Sequence, residues 1–157
     1  MLAGLRVVKM LLSHTVRFCE KIQVRRSPDQ VIGGASHPYL LRWFLLPKNR
    51  YFNVYLHVFL RSDDDRAMHD HPWHNMSYLV HGAYIEHRQS IGGLDSDQLQ
   101  RPGSIVFRKA TQAHRIELID DAPCTSLFFT GPKIREWGFY TPQGWVHWRD
   151  FLDNPNA

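Results

Sequence analysis

From Leu40 onward the chain is a succession of short runs rich in aromatic and β-branched residues, separated by clusters of turn formers. The runs are Leu40–Leu46, Phe52–Leu60, His74–His81, Ala83–Arg88, Ser104–Phe107, Arg115–Ile119 and Thr125–Thr130. The breakers include Pro47-Lys48-Asn49, Ser62-Asp63-Asp64-Asp65, Gly92-Gly93, Pro102-Gly103, Asp120-Asp121 and Gly131-Pro132. Runs this short have the length of strands, and their spacing predicts an all-β sandwich or barrel. At 157 residues the chain suits one domain with a sizeable core. Its 43% hydrophobic content excludes a disordered chain.

Residues 1–38 read as an N-terminal helix or arm with its connecting loop, and residues 39–157 as the barrel with an aromatic-rich tail. Leu2, Leu5, Val8 and Leu12 fit one face of a docked amphipathic helix. Arg6 and Lys9 interrupt this segment, which is too short to span a bilayer and lacks the order of a signal peptide. Residues 27–38 are rich in turn formers and read as loop. The tail from Trp137 to Phe151 is expected to pack across the barrel, with a substrate lid as the alternative.

The net charge is +4, with an early basic excess in Arg6, Lys9, Arg17, Lys21, Arg25 and Arg26. Such an arm is either a solvated face or a contact for nucleic acid. Cys19 and Cys124 are far apart and form no C-x-x-C pair, so the expectation is a reduced, cytoplasmic compartment without a disulfide framework. No G-x-G-x-x-G, P-loop or G-x-S-x-G motif is present, which argues against the usual dinucleotide enzymes, P-loop NTPases and serine hydrolases.

The chemistry concentrates at His69-Asp70-His71. Two histidines at i and i+2 on a strand share a face, and imidazole is the commonest metal ligand. His114, from a later strand, completes a possible set of three. If residues 69–77 run as one strand, Trp73, Asn75 and Ser77 lie on the same face, although Pro72 is a natural place for a bend. Asp70 alternates outward, which suits either orienting a histidine or holding a loop, and Glu117 alternates away from His114. Ten histidines are many, so His14, His37, His57, His87 and His147, which lack partner spacing, read as structural or surface residues. His81 reads as a turn residue, and His74, of opposite parity, stays ambiguous. The aspartates at 63–65 read as a hairpin turn, because calcium-loop spacing is absent.

The spacing around these histidines resembles the two motifs of the cupin superfamily, across residues 61–118. His69 and His71 are followed by Asn75 where the first motif has a glutamate, and by Gly82 at its closing glycine. Gly103 and His114 match the glycine and histidine of the second motif, while Lys109 and Thr111 stand at its proline and inner glycine. The resemblance implies a cupin-type double-stranded β-helix, or jelly roll. It also implies one divalent metal on His69, His71 and His114, most simply iron(II), with zinc, nickel or manganese as alternatives.

Three histidines without the carboxylate are similar to the thiol dioxygenases of the cysteine dioxygenase type. His114-Arg115-Ile116-Glu117 resembles the H-R-V-E of that family, and Phe52-Asn53-Val54 and Ser126-Leu127 lie at comparable places. Phe128 and Thr130 replace that family's later histidine and tyrosine, and its thioether cysteine is absent near Asn75 and Met76. The resemblance therefore implies shared ligands rather than a shared substrate. Trp73, Asn75, Tyr84 and Arg108 are the candidate substrate-binding residues, with Arg50 or Arg61 as possible carboxylate clamps. The expected function is a non-haem iron(II) dioxygenase acting on a small molecule. The alternatives are a metal-dependent isomerase or lyase, and a non-catalytic cupin that binds a ligand or nucleic acid. A homodimer is possible.

Overall fold

The computed structural model describes residues 2–63, 67–89 and 96–153, with side chains from Met10 onward. Twelve antiparallel strands form two six-stranded sheets among these residues. The first sheet has the order β1 (Gln30–Ile32), β2 (Leu40–Phe44), β3 (Asn53–Phe59), β10 (Cys124–Thr130), β5 (Asn75–His81) and β8 (Ile105–Arg108). The second has the order β12 (Gly144–His147), β11 (Gly138–Thr141), β4 (Met68–His69), β9 (His114–Leu118), β6 (Tyr84–Arg88) and β7 (Ser96–Gln100). Each of the seven predicted runs overlaps a strand, with bounds that differ by a residue or two.

Alternation explains the core. Inward residues Leu40, Phe59, Leu79, Tyr84, Ile116, Leu118 and Cys124 form one buried cluster between the sheets. The opposite parity of the first sheet, with Trp43, Leu56, Val58 and Val80, packs a second cluster under the N-terminal helix α1 (Leu2–Arg25). That helix runs well beyond Leu12 because Val16, Cys19 and Ile22 continue its apolar face onto the sheet. Ser27-Pro28 then stops it. The side chains of Leu2, Leu5 and Val8, and the breakers Asp64, Asp65, Gly92 and Gly93, lie outside the described residues. Arg26 is engaged structurally, with Asp29 Oδ2 at 2.6 Å and the Phe44 carbonyl at 2.8 Å. No described helix is long and apolar enough to cross a membrane. Both cysteines are free and buried.

Two expectations are corrected. Residues 27–38 are not all loop, since Gln30–Ile32 pairs with β2 and completes the sheet edge. Residues 69–77 are not one strand either. The chain leaves the second sheet after His69 and joins the first at Asn75, crossing at Pro72.

The tail does more than lie across the barrel. β11 and β12 form a hairpin that joins the second sheet through β4, and α2 (Trp148–Asp153) buries Phe151 against Phe139 with ring centroids 4.0 Å apart. Asp70, fully buried, fastens this hairpin. It accepts from the Gly138 amide at 2.8 Å and Trp145 Nε1 at 3.1 Å, and pairs with Arg135.

Gly82 turns the chain from β5 into β6 with φ of +78°, and a Cβ there would sit 2.6 Å from the Pro123 carbonyl oxygen. Strain and clash act together, so Gly82→Ala is expected to destabilise the fold by about 2–4 kcal/mol. Urea unfolding with an unchanged slope and a lowered midpoint would show it.

Candidate metal centre

His69 leaves β4 and His114 opens β9, and the two are direct cross-strand partners. His71 reaches the same place from the crossing segment, where its amide donates to the Ala110 carbonyl at 3.0 Å. The three rings offer one nitrogen each within 4.8 Å of one another, and Nε2 of His71 and His114 stand 2.8 Å apart. Two facing imidazole nitrogens this close suit either a shared proton or a shared cation. Their chemistry fits a metal, because a ligand imidazole must be neutral.

Burial, followed by the positive charge of Arg108, pushes the His114 imidazole down to about 4 from 6.5. Burial and the neighbouring His114 hold His71 well below its ordinary value. Burial, with Arg42, does the same to His57. The folded chain thus refuses protons that the unfolded chain accepts below pH 6.5. This contribution is complete above pH 6.5 and is lost as pH falls toward the folded values. His114 alone is expected to remove about 3 kcal/mol between pH 6.5 and 4. Melting temperatures of metal-free protein across that range provide the check, and a flat profile would contradict this reading.

The histidines open onto a cavity of about 320 Å³ between the sheets. Leu40, Phe59, Ile116, Phe128 and Trp137 give it apolar walls. Of the residues expected at a substrate, Trp73, Tyr84 and Arg108 line this cavity, and Trp73 meets the His71 ring edge-on at 5.3 Å. Asn75 is buried behind the lining, with its Oδ1 3.4 Å from Arg108. Arg108 is almost wholly enclosed. Its guanidinium donates to Glu86 Oε1 at 2.5 Å, Ser77 Oγ at 2.8 Å and the Tyr84 hydroxyl at 3.2 Å. Arg50 lies exposed against Tyr51, and Arg61 lies over the Tyr39 ring. Neither lines the cavity.

Three polar residues were not read as site residues from the sequence: His57 and Arg42 line the cavity, and Glu86 stands behind His114. His57, read as structural or surface, lines the cavity and stacks on Phe128 with centroids 4.8 Å apart. Its alternation with Tyr55 and Phe59 was the available signal. Arg42 also lines the cavity and donates Nε–H to His57 Nε2 at 2.8 Å. Glu86 is fully buried on β6, and its Oε1 lies 3.0 Å from His114 Nδ1, an approach whose angle falls short of a full hydrogen bond. Its parity with Tyr84 was the signal for it. Burial would raise the Glu86 carboxyl, but His114 and Arg108 override it and hold the group far below its ordinary range. Glu117 faces outward as alternation requires, 2.9 Å from His87 Nε2.

No protein-family model matches the chain, and no curated protein does. Solved structures do. An uncharacterized conserved protein with a double-stranded β-helix domain, from Klebsiella pneumoniae subsp. pneumoniae MGH 78578, superposes with a TM-score of 0.51 at 17% identity, over 72% of this chain and 90% of that one. The fold is a cupin-type double-stranded β-helix. Two other cupin-fold structures agree. DMSP lyase DddQ from Ruegeria pomeroyi DSS-3 gives a TM-score of 0.53 at 16% identity over 76% of this chain, which spans 61% of DddQ. HppE, solved with Fe(II) and substrate, gives 0.53 at 11% identity over 67% of this chain and 56% of its own.

Proposed function

We propose that this cupin is a metal-dependent enzyme that holds one divalent ion, iron(II), on His69, His71 and His114 and oxidises a small anionic molecule with dioxygen. The observation that carries the reading is the convergence of three imidazole nitrogens within 4.8 Å on the wall of an apolar cavity. Ferrous iron on three neutral imidazoles keeps its full charge and several open positions, which is the chemistry of dioxygen activation beside a substrate. The Fe(II) in HppE supports the choice of metal within this fold.

The chain's own residues set the substrate class. Arg42 lines the cavity, and among the described residues no carboxylate pairs with it. Its hydrogen-bond acceptors are His57 and Gln30 Oε1, the latter at 3.2 Å. Because His57 Nε2 accepts from Arg42, the neutral ring carries its proton on Nδ1. That nitrogen is buried without a partner. A guanidinium and an unmet N–H in one apolar cavity suit a carboxylate or similar anion. Trp73, Phe59 and Phe128 exclude water from the remainder of the molecule.

Iron loaded under anaerobic conditions, followed by oxygen uptake over small thiols and other anionic chelators, tests the reading. Metal-dependent uptake with one substrate class is expected. Turnover under nitrogen with zinc or nickel would replace it with the lyase or isomerase reading, the activity class named for DddQ. Once a substrate is in hand, Arg42→Gln is expected to raise KM about 10- to 100-fold with a smaller change in kcat, the value of a charge-assisted hydrogen bond.

A further inference from the structure

We infer that Glu86 is a positioning residue for the metal: its carboxylate holds His114 with the proton on Nδ1 and the lone pair of Nε2 turned toward His69 and His71. This rests on the three-histidine reading above. At the position where the cupin motif carries a glutamate, this chain has Asn75, whose side chain is buried behind the cavity wall. The carboxylate appears instead on β6, behind a ligand rather than beside it. β6 and β9 are neighbours in the second sheet, and Glu86 pairs in register with Ile116, so its side chain reaches back along β9 to His114. Oε1 stops 3.0 Å from His114 Nδ1, a buried nitrogen with no other partner, while His114 Nε2 faces His71.

Glu86 is itself fixed. Arg108 Nε holds Oε1 at 2.5 Å, Arg88 Nη2 holds Oε2 at 2.7 Å, and Glu86 is fully buried. Arg108 is in turn braced by Ser77, Tyr84 and Asn75. A buried carboxylate with two guanidiniums on it is a rigid acceptor. A carboxylate behind a metal-ligating imidazole fixes the tautomer and ring orientation and strengthens the ligand. Asn75, Tyr84 and Arg108 thereby act on the metal at one remove, as the frame for Glu86. The network also accounts for a charged pair deep in a small barrel, because hydrophobic residues of similar volume would pack as well without it.

The test compares wild type, Glu86→Gln and Arg88→Met by titration with Co(II) and by the visible spectrum of the bound ion. Glu86→Gln keeps the shape but removes the charge from His114. It is expected to weaken Co(II) binding ten- to hundred-fold and to shift the ligand-field bands. Arg88→Met loosens Glu86 only on its far oxygen and leaves the carboxylate charge behind His114, so it is expected to weaken Co(II) binding by about threefold, less than Glu86→Gln, on the same ligand-positioning logic. A second measurement needs no variant: in Zn(II)-loaded wild type, nitrogen-15 NMR is expected to show His114 protonated on Nδ1, with that proton shifted downfield by its acceptor. Wild-type affinity and spectrum in Glu86→Gln, equal losses in both variants, or a His114 protonated on Nε2 would each overturn the assignment while leaving the three-histidine site standing. A wild type that binds no Co(II) at all would bring down both readings.

Discussion

His114→Ala is expected to lower divalent-metal affinity by at least three orders of magnitude while leaving a folded protein. Removing an outer partner of a ligand histidine typically costs 10- to 100-fold, and removing the ligand itself costs more. His114 is the deepest of the three, about 3% exposed, and it contacts both other histidines and Glu86. Its loss leaves His69 and His71, a pair whose rings meet at 5.1 Å and which alone offers two donors. The substitution also removes an imidazole whose protonation opposes folding below pH 6.5, so the variant's melting temperature is expected to depend less on pH than the wild type's. Metal titration and thermal melts on the same preparation check both statements. A variant that keeps wild-type affinity would remove His114 from the site.

Arg108→Met is expected to destabilise the protein by about 3–5 kcal/mol, because it strands the Glu86 carboxylate in the barrel. For a chain of this size that is on the order of 10 °C in melting temperature. The double variant Arg108→Met, Glu86→Gln is expected to recover much of the loss, since no full charge is then left opposite a missing partner. The two sites touch, so their effects are coupled, and the cycle measures that coupling directly. Additive losses would mean that the 2.5 Å contact carries little of the energy assigned to it. The pair's isolation from water distinguishes it from the exposed Lys133–Glu136 pair, whose removal is expected to change little.

The strands legible in the sequence were those with a buried face. β5 and β9 alternate because one parity enters the barrel core and the other faces outward, whereas β3 and β10, buried along most of both faces, were legible as short aromatic and β-branched runs between turn formers. The elements missed have no such signature. β7 is a polar edge strand, Ser96-Asp97-Gln98-Leu99-Gln100, exposed over most of its length. β1 and β4 have three and two residues, and pairing rather than pattern defines them.

His69 and His114 were legible because strand parity carries them inward, while His71 reaches them from the segment that crosses between the sheets after β4. The opposite wall was not, because Arg42 and His57 are ordinary residue types on ordinary strands; they are cross-strand partners in the first sheet, and only the closing of the two sheets sets them in one cavity with the histidines. Glu86 and Arg108 show a further limit. Parity can place a charge inside, but it does not say whether that charge will face a substrate or another side chain. Arg108, a candidate substrate-binding residue in the sequence, lines the cavity in the fold, and its guanidinium donates to Glu86, Ser77 and Tyr84.

The measurement that bears most directly on this account is the metal content of the purified wild-type protein, before and after anaerobic loading with iron(II). About one equivalent of a divalent metal per chain, abolished in His69→Ala and His114→Ala, is the predicted result. A chain that remains metal-free after loading, with its fold intact, would contradict it.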